Sequence, residues 1–384
     1  MIFSRRDTLK ALGSAALGAI ASKGYAAPGP SGNASGPSLY LAANDGPDGV
    51  FRVAGLAPDG SAAFELPLPK RGHGFAIRPR GKDNGNRQAV AFARRPGDFA
   101  IVIDLVTGKE VSRLEAPKQR HFYGHGTFSR DGGLLYTAEN DYNNERGRIG
   151  VWNAANGYRR LGDFPSFGIG PHELILMPDG KTLAIANGGI LTHPDTGRGK
   201  LNIPTMMPSL AYIDAGNGTL RARHGFTDPR LRKLSIRHLA ATRDGTLCIA
   251  LQDQGPWRDS MPLVAFHRQK YSELVLGQAP DKIARRLRGY MGAVALDSSS
   301  TVAAVSAPRG GLVTFWNMVG WQYLGAQPFA DSCGVAAADG AGRFYATSGQ
   351  GGAMLFDAFT KQQHTVATPF NLVRQWDNHL AAIL

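Results

Sequence analysis

Five of the ten histidines in the chain occupy the same position of a repeated sequence pattern. In each copy this position opens a short apolar run that ends in a turn, as in "HGTFSRDGG" from residue 125 and "HLAATRDGT" from residue 238. The seven copies of the position are His73, His125, His172, His238, Met291, Cys333 and His379. Imidazole, thioether and thiolate groups all bind transition metals. The pattern therefore predicts a metal site, provided that the fold brings these positions together.

The segments that follow each position indicate which elements carry it. Most copies continue with a second and a third apolar run, such as "LLYTAEN" from residue 134 and "RIGVWNAANG" from residue 148. These runs alternate with a period of two and end in turn residues, which is typical of half-buried antiparallel strands. Successive copies lie 42 to 66 residues apart, a spacing that suits four-stranded propeller blades. The sequence predicts an all-β fold, a seven-bladed β-propeller.

The two ends of the repeat array predict how the ring closes. The last copy, "HLAAIL" from residue 379, supplies a single inner strand. Residues 38–67 supply three strands that lack an inner one. We therefore expect the N- and C-terminal strands to share one blade, which removes open sheet edges. The predicted propeller spans residues 38–384.

A propeller places the inner strand of every blade against the central channel, so equivalent positions form a ring around the axis. Imidazoles on such a ring can share one transition metal at about 2.0–2.1 Å per nitrogen. The predicted ligands are His73, His125, His172, His238 and His379, and the expected metal is iron or copper, with zinc also compatible. A polar, water-filled channel without a metal is the alternative.

Other residues near this column are weaker candidates. Met291 and Cys333 would favour copper as ligands, although such side chains beside apolar strands usually pack in the core. Glu173 would replace its neighbour His172 if the following turn sets the strand register. Asp377 could orient an imidazole from outside the ligand set, and His121 flanks the site or caps a loop.

The longest interval between copies contains an insertion at residues 188–209. Its segment "THPDTGRGK" carries His193, Arg198 and Lys200, which suit either a lid or anion-binding loop over one channel mouth, or a solvated loop. Glycine-rich stretches such as "GQGG" from residue 349 lack the strand-to-helix setting of a phosphate loop, so no nucleotide is expected. The absence of a CxxCH motif argues against covalent haem, and we expect no haem.

Residues 1–26 have the pattern of a twin-arginine export signal. Arg5 and Arg6 precede an apolar run from Ala11 to Ala21, which is too short to span a bilayer stably. We expect this signal to be followed by a linker at residues 27–37, and the folded protein to be exported to the periplasm. The net charge of +13 favours anionic partners, but a nucleic-acid partner is not expected because aromatic and basic residues do not interleave.

Three stretches carry a resemblance to a known family: "GGILTHPDTGRGKLNIPTMMPSLAYID" from residue 188, "GHGTFSRDG" from residue 124 and "GIGPHELILMPDG" from residue 168. Over nearly the whole predicted mature chain, the sequence resembles uncharacterised twin-arginine-exported bacterial proteins with a domain of unknown function. That family is placed among propellers like the β-chain of quinoprotein amine dehydrogenase. Its genes often lie beside those of imelysin-type and di-haem peroxidase-like proteins, which implies such partners and a role in periplasmic iron handling. The resemblance supplies no catalytic residue.

Three functions are compatible with these observations. The first is a periplasmic metal-binding propeller in iron acquisition or metal redox chemistry. The second is a metal-free propeller enzyme, of a lactonase or dehydrogenase kind, in which histidines act as acids and bases. The third is an interaction scaffold for iron-uptake partners. Whether the chain is an enzyme is left open by the sequence.

Overall fold

Seven four-stranded antiparallel sheets form where the sequence alternates between apolar and polar residues. The computed structural model describes residues 36–79, 87–256 and 260–383. These residues belong to a compact unit that spans Ser35–Leu384. The predicted export signal and nearly all of the predicted linker lie outside the described residues. Within the described residues, no helix is long and apolar enough to cross a membrane.

Each sheet is one propeller blade, and the blades follow one another along the chain. Blade 1 contains β1 (Leu39–Asp45), β2 (Phe51–Leu56), β3 (Ala62–Pro67) and the last strand, β28 (Gln375–Ile383). Blade 2 contains β4 (Gly72–Ile77), β5 (Gln88–Ala93), β6 (Phe99–Asp104) and β7 (Lys109–Glu115). Blade 3 contains β8 (Arg120–Phe128), β9 (Leu134–Asp141), β10 (Arg146–Asn153) and β11 (Arg159–Pro165). Blade 4 contains β12 (Pro171–Leu176), β13 (Thr182–Asn187), β14 (Ser209–Asp214) and β15 (Leu220–His224).

The remaining three blades have the same strand order. Blade 5 contains β16 (Leu234–Ala241), β17 (Leu247–Asp253), β18 (Val264–His267) and β19 (Val275–Leu276). Blade 6 contains β20 (Ala293–Leu296), β21 (Val302–Ala307), β22 (Leu312–Asn317) and β23 (Tyr323–Pro328). Blade 7 contains β24 (Ser332–Ala337), β25 (Arg343–Ser348), β26 (Ala353–Asp357) and β27 (Gln363–Val366). Short helices lie at Pro194–Thr196, Ile203–Thr205, Pro229–Leu231, Asp281–Arg286 and Pro369–Leu372.

The inner strands of neighbouring blades contact one another in a closed cycle. The cycle runs β28, β4, β8, β12, β16, β20, β24 and back to β28. It is completed in blade 1, where Leu39 of β1 pairs with Ile383 of β28, and the Ser38 amide donates to the Ile383 carbonyl at 2.8 Å. The prediction of a seven-bladed propeller closed by N- and C-terminal strands in one blade is confirmed.

The core lies between the blades, where large aromatic side chains fill the gaps between facing sheets. Trp316, Trp376, Tyr136 and Tyr212 are among the largest side chains with almost no exposure. Tyr40 of blade 1 stacks on Tyr345 of blade 7, with their ring centroids 4.5 Å apart. Burial of such side chains supplies the main favourable free energy that holds neighbouring blades together.

Strand direction assigns each connection to one face of the disc. All inner strands start at one face, which we call the top face. Because the sheets are antiparallel, the connection between the second and third strands of a blade returns to this face. The top face therefore carries the β5–β6 connection (94–98), the insertion between β13 and β14 (188–208) and the β21–β22 connection (308–311). The Asp-Gly turns after the inner strands lie on the opposite face.

The closing strand should be essential for stability. Trp376 of β28 is 2% exposed, and its indole Nε1 donates to the Asn371 carbonyl at 3.3 Å. Trp376→Ala would leave a large cavity in the closing blade, so we expect the free energy of unfolding to fall by about 3–5 kcal/mol. Urea unfolding followed by circular dichroism measures this change. Val319→Ala, at a position that is 77% exposed, should cost less than about 0.5 kcal/mol. If Trp376→Ala lowers the free energy of unfolding as little as this control does, β28 is not essential for stability.

Candidate metal centre

Six inner strands, all within the described part of the chain, have an irregular register at the repeated position. In each, the inner strand has one or two residues more than the second strand over the same stretch. The residues without a one-to-one partner are His73–Gly74, Tyr123–His125, His172, Arg237, Cys333–Gly334 and Asp377–His379. Such β-bulges bend a strand and redirect its side chains, and they are frequent at functional sites. Here they turn side chains toward the propeller axis.

Glycines beside the bulged residues let neighbouring inner strands approach closely. A Cβ on Gly124, which has a positive φ of 103°, would lie 2.6 Å from Cδ2 of His73. A Cβ on Gly74 would lie 2.7 Å from Nδ1 of His125. Glycine is therefore required at both positions for the two imidazoles to approach each other.

The five histidines predicted as ligands form one cluster on the axis. His125 lies at its centre, and its ring centroid is 5.0 Å from that of His73, 5.2 Å from that of His172, 5.4 Å from that of His238 and 4.6 Å from that of His379. The centroids of the pairs 73–379, 172–238 and 238–379 are 4.4, 4.6 and 4.6 Å apart. Five inner strands thus bring their imidazoles into direct contact.

The ring nitrogens of this histidine cluster form two groups that share His125. One group is His73, His125 and His379, and the other is His125, His172 and His238. Within each group, one nitrogen per residue lies within 4.8 Å of the others. Nitrogens that bind one ion at 2.0–2.1 Å are at most about 4.2 Å apart, twice the bond length. Small rotations of the rings would therefore close either group around a metal.

Three nitrogens of the cluster are buried without a hydrogen-bond partner among the described residues. They are Nε2 of His125, Nδ1 of His172 and Nε2 of His379. His125 and His172 are each 3% exposed, while His379 is partly exposed as a residue although its Nε2 is buried. Each such nitrogen costs about 1–3 kcal/mol relative to a satisfied one. An ion in either nitrogen group would remove that cost for at most two of them, because His172 and His379 belong to different groups.

Two carboxylates of the site, those of Asp377 and Glu173, lie beside Nδ1 of other histidines in the cluster. Asp377 Oδ1 lies 3.1 Å from Nδ1 of His73, and Glu173 Oε2 lies 3.1 Å from Nδ1 of His238. The other oxygen of Glu173 is 3.6 Å from Nδ1 of His125. A carboxylate at Nδ1 fixes the ring orientation and leaves Nε2 available, as in the carboxylate–histidine–metal arrangements of metalloproteins.

Burial decides the protonation of these groups. It lowers the pKa of His73 to about 4, against the opposing effect of Asp377, and it lowers the pKa values of the other four histidines well below their usual range. Burial would raise the pKa of Asp377, but Arg94, His73 and Arg71 hold that pKa well below its usual value. For Glu173, burial prevails and raises the pKa. At neutral pH the five imidazoles are uncharged, which is the state that binds metal ions.

Met291 and Cys333, the weaker ligand candidates, are both buried. Met291 is fully buried in an apolar cluster with Leu251 and Leu287. Cys333 is 4% exposed, and burial raises the pKa of its thiol. Among the described residues, the groups of close histidine, cysteine and carboxylate ligand atoms do not include Cys333. The geometry therefore gives no support to a copper preference from a thiolate ligand.

His121 lies outside the histidine cluster, whereas Glu173 lies at the cluster together with His172. His121 Nδ1 lies 2.9 Å from the Phe122 carbonyl, its Nε2 accepts from Asn140 at 3.1 Å, and its ring stacks on Tyr123. The ring of Tyr123 therefore lies between His121 and the histidine cluster, since Tyr123 also contacts His172. Glu173 does not replace His172, because the bulge in β12 lets both side chains reach the axis.

Sequence reasoning missed the arginines around the cluster. Arg71 donates through Nε to Asp377, and Arg94 lies 3.4 Å from the same carboxylate. Arg237 is the extra residue of the β16 bulge, directly before His238. Arg71 and Arg237 lie beside the repeated column, in "RGH" and "RH", whereas Arg94 does not. Basic residues are frequent near strand ends, so this signal is weak.

Fold and site together define a class: a seven-bladed β-propeller with a buried five-histidine cluster at its axis. The chain belongs to the family described as "Protein of unknown function (DUF1513)", whose model matches residues 66–383. No curated protein sequence matches the chain. Among solved structures it is similar to hydrazine synthase of Kuenenia stuttgartiensis, with a TM-score of 0.61 and 15% identity over 90% of this chain and 99% of that chain. At this identity the similarity concerns the fold alone.

The buried imidazoles should make metal-free protein sensitive to acid. A histidine whose pKa falls on folding adds stability above its unfolded pKa of about 6.5, and this stability is lost as the pH falls toward the folded value. His73, with a folded pKa of about 4, should alone account for roughly 3 kcal/mol between pH 6.5 and pH 4.

Thermal melts of chelator-treated protein at a series of pH values measure this effect. We expect the melting temperature of the wild type to fall steeply below pH 6.5, and that of His73→Gln to fall less steeply. His364→Gln, on the exposed outer strand β27, is the matched control and should follow the wild type. A His73→Gln curve parallel to that of the wild type would show that His73 is protonated equally in the folded and unfolded states.

Proposed function

We propose that the protein binds a first-row transition metal at the axial histidine cluster. The observation that carries the proposal is the convergence of five imidazoles from five blades, with three ring nitrogens buried and unpaired. Buried polar groups in native proteins nearly always have a partner, and exceptions call for an explanation. A metal ion supplies that partner for several nitrogens at once.

Nitrogen donors decide which metals suit the site. Imidazole binds iron, copper, zinc and nickel, and the two groups of close ligand atoms contain no thiolate among the described residues. The buried carboxylates Asp377 and Glu173 would partly offset the charge of a divalent cation. We therefore propose iron or copper in a nitrogen-ligand site, with His125 as the ligand common to both nitrogen groups.

The cellular role that we propose is metal handling outside the cytoplasm, with iron as the expected metal. Arg5 and Arg6 and the apolar run after them support export of the folded chain, and a preloaded metal is one reason for export in the folded state. Association with imelysin-type or peroxidase-like proteins rests on the family resemblance of the sequence. Redox chemistry at the metal is compatible with a buried site of imidazole ligands.

The metal content of variants tests the proposal. Wild-type protein purified without chelator from metal-replete cells should carry close to one equivalent of iron or copper by elemental analysis. His125→Ala removes the ligand shared by both groups, so we expect its metal content to fall at least tenfold. His238→Ala disrupts one group and should lower the metal content as well.

The matched control is His364→Ala, because this exposed histidine lies on the outer strand β27. It should keep the wild-type metal content. Circular dichroism confirms that each variant is folded. Metal-free wild-type protein would contradict the proposal, and so would a His125→Ala variant that is folded and fully loaded.

Asp377 should act as a positioning residue. It holds Nδ1 of His73 from outside the cluster, and second-layer carboxylates of this kind typically contribute 10- to 100-fold to metal affinity. We expect Asp377→Asn to weaken metal binding by that factor in a competition titration with a chromophoric chelator. Asp377→Glu should restore part of the affinity if its carboxylate reaches His73. Asp195→Asn, on the exposed insertion, should have no effect. Unchanged affinity in Asp377→Asn would remove this role.

A further inference from the structure

Five basic side chains surround the axis on the top face, just above the histidine cluster. We call this set the cationic mouth; it consists of Arg95, Arg198, Lys200, Arg237 and Arg309. The residues come from blades 2, 4, 5 and 6: the β5–β6 connection, the insertion, the β16 bulge and the β21–β22 connection. Because all these segments reach the top face, the five basic residues lie at the same end of the propeller.

None of these five cations has a carboxylate within 4.0 Å among the residues that the structure describes. The nearby carboxylates are already engaged. Asp377 is paired with Arg71, Arg94 and His73, and Glu173 with His238 and His125. Other basic side chains do have a carboxylate partner: Arg120, for example, lies 2.7 Å from Asp163. The cationic mouth therefore carries uncompensated positive charge.

The members of the cationic mouth act on one another electrostatically. Partial desolvation and the charges of Arg94 and Arg95 lower the pKa of Arg198, and burial followed by the charge of Arg95 lowers the pKa of Arg237 to about 9. Partial burial and the charges of Arg237 and Arg309 lower the pKa of Lys200. Holding like charges together costs free energy, which an anion between them would recover.

Aromatic rings hold two of the guanidinium groups in place. Arg95 lies over the ring of Tyr123, with its Cζ 5.6 Å from the centroid, and Arg309 lies over Tyr290 at 5.0 Å. Both tyrosines belong to the wall of the site, since Tyr123 contacts His172 and the Tyr290 hydroxyl accepts from Asn378 at 2.5 Å. Stacked guanidinium groups are preorganised for the paired oxygens of carboxylates and phosphates.

We propose that the cationic mouth is a binding site for a small polyanion that carries two or more carboxylate or phosphate groups. The insertion contributes Arg198 and Lys200 and is thereby a ligand-binding loop of the channel entrance. The site goes beyond metal binding, because its charges attract the anion whether or not an ion occupies the histidines. An anion held here would lie next to the histidine cluster.

Isothermal titration calorimetry on chelator-treated full-length protein in low-salt buffer tests this proposal. Tricarballylate, a tricarboxylate with weak metal affinity, and pyrophosphate are the two probes, and they separate a carboxylate preference from a phosphate preference. Glycerol is the uncharged three-carbon control. We expect saturable binding of at least one probe, no binding of glycerol, and an affinity that falls as salt is added.

Two variants locate the site. Arg198→Gln combined with Lys200→Gln changes only exposed side chains of the insertion, so the fold should be kept, and Arg237→Gln changes the residue beside His238. Each should weaken binding about tenfold or more. Arg230→Gln, an exposed arginine paired with Asp228, should bind like the wild type. No saturable binding by the wild type, or equal affinity in all variants, would overturn the proposal.

The metal and anion proposals can fail separately. Probe binding by protein that never carries metal would support the cationic mouth and contradict the metal site. If the purified protein carries metal but binds neither probe, before or after the metal is removed, the metal site is supported and the cationic mouth is contradicted. The elemental analysis and the titration therefore give independent answers.

Discussion

The burial of five neutral imidazoles around one axis is the constraint on which the rest of the site depends. Packing them together requires β-bulges in the inner strands and glycines where neighbouring strands approach. It also requires low pKa values, because several imidazolium groups in this space would repel one another. Unpaired nitrogens on His125, His172 and His379 are the cost of the arrangement.

The two carboxylates of the site are shared between blades. Asp377, on the strand that closes the ring, binds His73 of the next blade, and Glu173 of blade 4 binds His238 of blade 5. Ring closure and site assembly are therefore the same event: without β28, both His379 and the partner of His73 are missing. Such coupling makes the geometry of the histidine cluster a consequence of the folded disc, since no single blade contains a complete set of ligands.

Charge is arranged in layers along the axis. The histidine cluster is uncharged at neutral pH, Asp377 beside it is compensated by Arg71 and Arg94, and the cationic mouth above has no carboxylate partner within 4.0 Å among the described residues. A channel lined by one sign of charge concentrates ions of the opposite sign at its entrance. The layers are consistent with an entrance that selects anions and an interior that binds through nitrogen atoms.

The sequence by itself determined the number of blades, the closure of the ring and the column of histidines, because strand alternation, turn chemistry and repeat spacing are local properties of the chain. It also singled out Asp377, though not its partner. Only the tertiary structure decided that Asp377 binds His73, that Glu173 accompanies His172 at the axis, and that Met291 packs in the core. Of the cationic mouth, the sequence singled out only Arg198 and Lys200 of the insertion. The physical reason is that a β-bulge shifts the strand register by one residue and so changes the direction of a side chain. The partners of that side chain come from blades that are far apart in the chain.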